Sequence, residues 1–139
     1  MNLSRAEIVK HFSEWLIAWN DHNLDGVMEF MHEEIVFENW NGAIITGKKA
    51  LKKIWALWFM HHGNFKFTEE AIFLDEEEQK MTFQWRLEWP STEKKFRGKH
   101  EIRRGVDILH FLDGKIYKKV SYSKTTIQID STLIEMHAV

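Results

Sequence analysis

Apolar residues recur at helical spacing along the first part of the chain and at alternate positions along the rest. Ile8, Phe12, Trp15, Leu16 and Trp19 define one buried face of a first helix. Ser4 with Glu7 forms a capping box that starts this helix at residue 5, and the pattern runs to about residue 22. Asn23-Leu24-Asp25 is a break, followed by a short helix carrying Val27, Met28, Phe30 and Met31. Ile35 to Asn39 reads as a strand, Trp40-Asn41-Gly42 as a turn and Ala43 to Thr46 as a short partner strand. Gly47 precedes a third helix with the stripe Leu51, Ile54, Trp55, Trp58 and Phe59, and His61-His62-Gly63-Asn64 ends it.

Strands follow over Phe65 to Leu74, Met81 to Trp89, Lys99 to Leu112 and Lys115 to about Ile129. Met81, Phe83, Trp85, Leu87 and Trp89 alternate with polar residues, the mark of an antiparallel strand with one apolar face. Asp75 to Glu78 is a solvated turn, and Pro90 to Lys94 links the next pair. Helices first and a long antiparallel run afterwards predict one α+β domain over residues 1–139, without repeats or linkers. Asp130 to Val139 reads equally as a strand extension, a lid or a frayed tail.

The sharpest local signal is Asp113-Gly114 between two apolar runs, a two-residue hairpin turn. Strict alternation then puts Asp107 on the same face as Leu109 and Phe111, and Val106, Ile108 and His110 on the other. A carboxyl on an apolar face is costly unless it is paired, protonated or open to a cavity. Two readings of Asp107 follow: a neutral acid donating to a ligand oxygen, or a carboxylate bridged to Arg103 or Arg104.

Composition narrows the function. Seven Trp and ten Phe exceed what a minimal core needs and suggest a roomy, aromatic-walled interior. The net charge of -2, with both signs interspersed, offers no basic face for nucleic acid. Without cysteine there is no disulfide, thiolate or Cys-based zinc chemistry. No His pair has helical ligand spacing, so no metal and no other cofactor is expected. No apolar run is long enough to span a bilayer, and a soluble, cytoplasmic protein is the expectation. Gly42 to Lys49 nearly spells a phosphate loop, but Lys stands at the Ser/Thr position and the segment follows a strand turn.

Three segments carry a family resemblance: Trp19 to Val27 with Asn20, Asp21 and Asp25-Gly26; Val36-Phe37-Glu38-Asn39-Trp40-Asn41-Gly42; and the Val106 to Ile116 hairpin. In this order the chain resembles the nuclear transport factor 2-like superfamily, with its ketosteroid isomerases and SnoaL-like polyketide cyclases. The resemblance implies a cone, in which a curved antiparallel sheet wraps the N-terminal helices around a pocket open at one end. It puts Asp107 at the isomerases' late-strand acid, Trp15 at their tyrosine and Asn39 at their carboxylate base. An amide cannot take the proton, so the catalytic set is degenerate, and Glu38 would serve only after a one-residue slip that turns its side chain to the other face.

Cyclases of this group place a carboxylate on the last long strand, where this chain offers Val120, Ser121, Tyr122 and Ser123; fold-related epoxide hydrolases use an Asp-Arg-Asp set, of which Arg103 and Asp107 supply two members. Trp15, Trp19, Trp40, Trp55, Phe59, Leu109, Phe111 and Tyr122 are the expected ligand-binding wall, with Asp107 and Asn39 as its polar points. Trp15 reads equally as core packing, and Asn39 as a turn residue. His61-His62 read as helix-end caps, and His110 as an outer-face residue.

The leading expectation is a hydrophobic small-molecule pocket, with isomerase, cyclase or lyase chemistry beside a carbonyl left open. The competing one is a non-catalytic dimeric interaction module with a vestigial pocket. The resemblance implies a homodimer through the outer sheet face, either over Ile102, Val106, Ile108 and Leu112 or over Trp85 and Trp89.

Overall fold

In the computed structural model, which describes residues 1–136, the Ser4 hydroxyl accepts from the Glu7 N–H and the Glu7 carboxylate accepts from the Ser4 N–H. This capping box opens α1 (Arg5–Asn20), and α2 (Leu24–Glu29) follows the Asn23 cap. The chain enters β1 (Met31–Glu38) sooner than the apolar spacing predicts: Phe30 caps α2 and Met31 is already strand. β2 (Ile44–Thr46), α3 (Lys48–His61), β3 (Lys66–Asp75), β4 (Lys80–Pro90), β5 (His100–Leu112), β6 (Lys115–Ile129) and β7 (Thr132–Glu135) complete the order.

The sheet runs β2-β1-β6-β5-β4-β3, with β7 paired back on β6. Its pairs are antiparallel except β1 with β6, which is parallel, so the sheet is mostly antiparallel, as the α+β reading expects. β7 answers part of the question about the tail: Thr132–Glu135 extends the sheet as a hairpin strand, while 137–139 lie outside the described residues. Asp113 and Gly114 turn between β5 and β6 with φ of 52° and 76°, as a two-residue hairpin of this type requires.

Register shifts in β1·β6, β3·β4 and β5·β6 curve the sheet over the helices. One face of α1 places Ile8, Phe12, Trp15 and Trp19 in the same core as Phe83, Trp85 and Leu87 of β4, all nearly inaccessible, with the Phe12 and Phe83 ring centroids 4.7 Å apart. Each such side chain contributes about 2 kcal/mol. α3 buries Leu51 and Trp55, but Ile54 lies outside the expected stripe at 44% exposed. Trp85 and Trp89 are core residues, so they form no outer dimer face.

Candidate functional site

The inner face of β5 reads Glu101, Arg103, Gly105, Asp107, Leu109 and Phe111, as strict alternation predicts. Leu109 and Phe111 fill the core, whereas Asp107 opens onto a cavity of about 240 Å³. Six of the seven tryptophans line this cavity: Trp15, Trp19, Trp40, Trp55, Trp58 and Trp85. The indole N–H groups of Trp15 and Trp19 are buried and have no partner.

Gly105 makes room for the wall. A Cβ there would stand 2.2 Å from the Tyr122 carbonyl oxygen and 2.5 Å from the Trp85 ring, which crosses directly over it. Trp85 thereby donates its indole N–H to Asp107 Oδ1 at 3.1 Å. Ser121 Oγ donates to the same oxygen at 2.7 Å, and Lys119 Nζ lies 3.2 Å from Oδ2 and donates to Ser121 Oγ at 2.7 Å. Asp107 is therefore surrounded by donors, and its ion-pair partner is Lys119 rather than either arginine. Arg103 pairs with Glu101 at 3.0 Å and Arg104 with Glu70 at 3.2 Å.

Lys119 Nζ sits 4.5 Å from the centroid of the Phe37 ring and 5.8 Å from that of Trp55. Burial pushes its ammonium down from the usual lysine range, against the opposing pull of Asp107. Across the lining, His62 Nδ1 lies 2.7 Å from the Trp58 carbonyl. A carbonyl only accepts, so Nδ1 carries the proton and the neutral ring keeps Nε2 as its acceptor. Burial is the main cause holding His62 below its ordinary 6.5, with His61 and Arg103 adding to it and the Trp58 hydrogen bond opposing.

Of the residues expected on the wall, Trp15, Trp19, Trp40 and Trp55 line the cavity together with Asp107 and Asn39. Asn39 is also a turn residue, its Oδ1 accepting from the Trp40 N–H and its own N–H donating to the Ala43 carbonyl. Four expectations are corrected. Leu109 and Phe111 pack in the core below the cavity, and the Phe59 ring lies against Trp19 and Phe65 rather than on the lining. Tyr122 is on the outer face, 55% exposed. Glu38, on the face of β1 opposite Phe37, does not line the cavity, as the register without a slip predicts.

Lys119 and the cavity-lining role of His62 were not anticipated. His62 does cap α3, as its place at the helix end predicts. Among the described residues, no cluster of His, Asp and Glu has the arrangement to hold a metal ion, and no helix is long and apolar enough to cross a membrane.

The model of the SnoaL-like domain family matches residues 9–119. Among solved structures, the chain is similar to SalBIII, an epoxide hydrolase/cyclase-like enzyme in pyran ring formation in the polyether salinomycin. The two are 13% identical over 86% of this chain and 93% of that one, with a TM-score of 0.74. TerC, crystallised with polyporic acid, is 14% identical over 86% and 92%, with a TM-score of 0.73. A SnoaL-like protein of unknown function from Burkholderia thailandensis is 16% identical over 88% and 98%, with a TM-score of 0.71. No curated protein matches the sequence.

Proposed function

Because the chain belongs to the SnoaL-like domain family, we propose that its cavity binds a hydrophobic small molecule through a carbonyl or enolate oxygen. The observation that carries this is a hydrogen-bonded cluster of Asp107, Lys119 and Ser121 set into a largely aromatic wall. Lys119 is the donor to the ligand oxygen, and Asp107 and Ser121 fix its position. A preorganised donor of this kind is worth about 3 kcal/mol to a developing oxyanion. TerC with its polyporic acid and the cyclase-like SalBIII support a small-molecule occupant of this fold.

The reaction class that fits is a cofactor-free isomerisation, cyclisation or elimination beside a carbonyl. The resemblance noted in the sequence would set Asn39 at the isomerases' base, and an amide cannot take a proton, so the proton acceptor in this reading is Nε2 of neutral His62.

The test is a thermal-shift screen of steroids, polyketide-like phenols and fatty ketones against wild type, Asp107→Asn and Lys119→Met. A compound that raises the wild-type Tm and leaves both variants unshifted is the expected result. If every compound leaves the wild type unmoved, the pocket reading fails and the interaction-module expectation takes its place.

A further inference from the structure

We propose that Lys119 is an imine-forming lysine, whose Nζ adds covalently to the carbonyl carbon of a hydrophobic aldehyde or ketone held in the cavity. The inference rests on the reading of the cavity as a site for carbonyl compounds, and it goes beyond hydrogen bonding to name the bond formed. Three features of the geometry converge on it. Lys119 is a cavity-lining side chain only 7% exposed, so its amine meets whatever the cavity holds and little bulk water. Asp107 Oδ2, at 3.2 Å, is close enough to take a proton from Nζ and to return it. The Phe37 and Trp55 rings around Nζ provide an apolar site in which water is scarce and an imine is protected from hydrolysis.

The step balances within the pair. The Lys119 ammonium passes a proton to the Asp107 carboxylate, leaving a neutral amine and a carboxylic acid. The amine lone pair forms the C–N bond, the carbonyl π pair moves to oxygen, and a nitrogen proton follows it to give a carbinolamine. Asp107 then returns its proton to the departing hydroxyl, which leaves as water, and the nitrogen lone pair closes the iminium. Carbonyl plus ammonium becomes iminium plus water, with no other reagent.

Burial lowers the Lys119 ammonium, which favours the free amine the step needs. The groups facing Nζ are Asp107 from β5, Ser121 from β6, Phe37 from β1 and Trp55 from α3, and among them Asp107 alone carries charge. His62, on the same lining, is held toward its neutral form.

The full chain is incubated with 2-naphthaldehyde and sodium cyanoborohydride, which reduces an iminium to a stable secondary amine, and the adduct is mapped by peptide mass. The expected result is labelling of Lys119 at least about tenfold faster than exposed Lys66 at neutral pH, because burial leaves more of the Lys119 amine free. This preference should shrink as the pH rises into the range where exposed lysines also lose their proton, and excess 2-naphthalenemethanol, which has no carbonyl, should block it. The wild type supplies the decisive reading, so the result does not depend on how well Lys119→Met folds. Label confined to surface lysines, while the alcohol still raises Tm, overturns the imine and leaves the binding reading standing. Absence of both label and Tm shift overturns the two together.

Discussion

Two buried acid–base clusters lie on one inner strand face, and their contrast separates site from scaffold. At one end of β5, Glu101 accepts from Ser91 Oγ at 2.8 Å and pairs with Arg103, whose guanidinium sits between Trp40 and Trp89 at 5.4 and 5.1 Å from the ring centroids. Further along, Asp107 accepts from Ser121 and pairs with Lys119. Both clusters join an acid, a base and a serine, and in both burial pushes a member toward neutrality: the Glu101 carboxyl is moved up and the Lys119 ammonium down. Neither Glu101 nor Arg103 reaches the cavity, whereas Asp107, Lys119 and Ser121 all line it.

The choice of base fits that division. Arginine keeps its charge and presents a flat fork that stacks between two indoles, while lysine is a compact charge that burial readily neutralises. Buried charge alone therefore does not identify the functional region of this molecule; buried charge against empty space does.

The strongest test of the contrast is Arg103→Ala, which leaves the fully buried Glu101 without its countercharge. A stability loss of about 3 kcal/mol is expected in urea unfolding, with ligand-induced Tm shifts retained. Loss of the ligand shift at unchanged stability would break the distinction.

Gly105→Ala comes next, at about 2 kcal/mol, because the added Cβ runs into backbone and the Trp85 ring. Displacing Trp85 also removes its bond to Asp107, so isothermal titration should show weaker binding as well.

Lys119→Met should lower stability by only about 1 kcal/mol, since Asp107 keeps donors from Trp85 and Ser121. Its ligand shift should vanish, the reverse of Arg103→Ala.

The smallest effect is on pH. Burial holds His62 and His110 below their ordinary 6.5, so the unfolded chain binds more protons than the folded one just below that pH. Their contribution to stability is complete above about 6.5 and is lost as the pH falls toward the folded values. Glu101, raised by burial, works in the opposite sense above 4.5. Thermal unfolding from pH 7.5 to 5.5 should show the decline, and His62→Gln should lessen it.

Much of the fold is legible in local chemistry. The Ser4–Glu7 box, the Asp113-Gly114 turn and the β4 alternation each specify their element without help from distant residues, and the face of Asp107 follows from the hairpin. The partner of Asp107 is not legible in the same way. Counting by twos from buried Ile116 turns Tyr122 inward and Lys119 outward. The register shift opposite His110 and Phe111 reverses that phase, bringing Lys119 and Ser121 onto the cavity and Tyr122 to the surface. A single bulge thus accounts for both the missed lysine and the misplaced tyrosine. His62 was legible as a cap, but its cavity face depends on how α3 lies against the sheet, which no local pattern encodes.

Trp89 provides an internal control, as the one tryptophan that flanks the Arg103 cluster without lining the cavity. The most direct measurement is a ¹H–¹⁵N NMR titration of the indole N–H groups with 2-acetonaphthone, a hydrophobic ketone. The account predicts that indoles on the cavity wall, Trp85 above all, shift with ligand while Trp89 stays in place. Indoles that all stay fixed, or a titration in which Trp89 moves most, would contradict it.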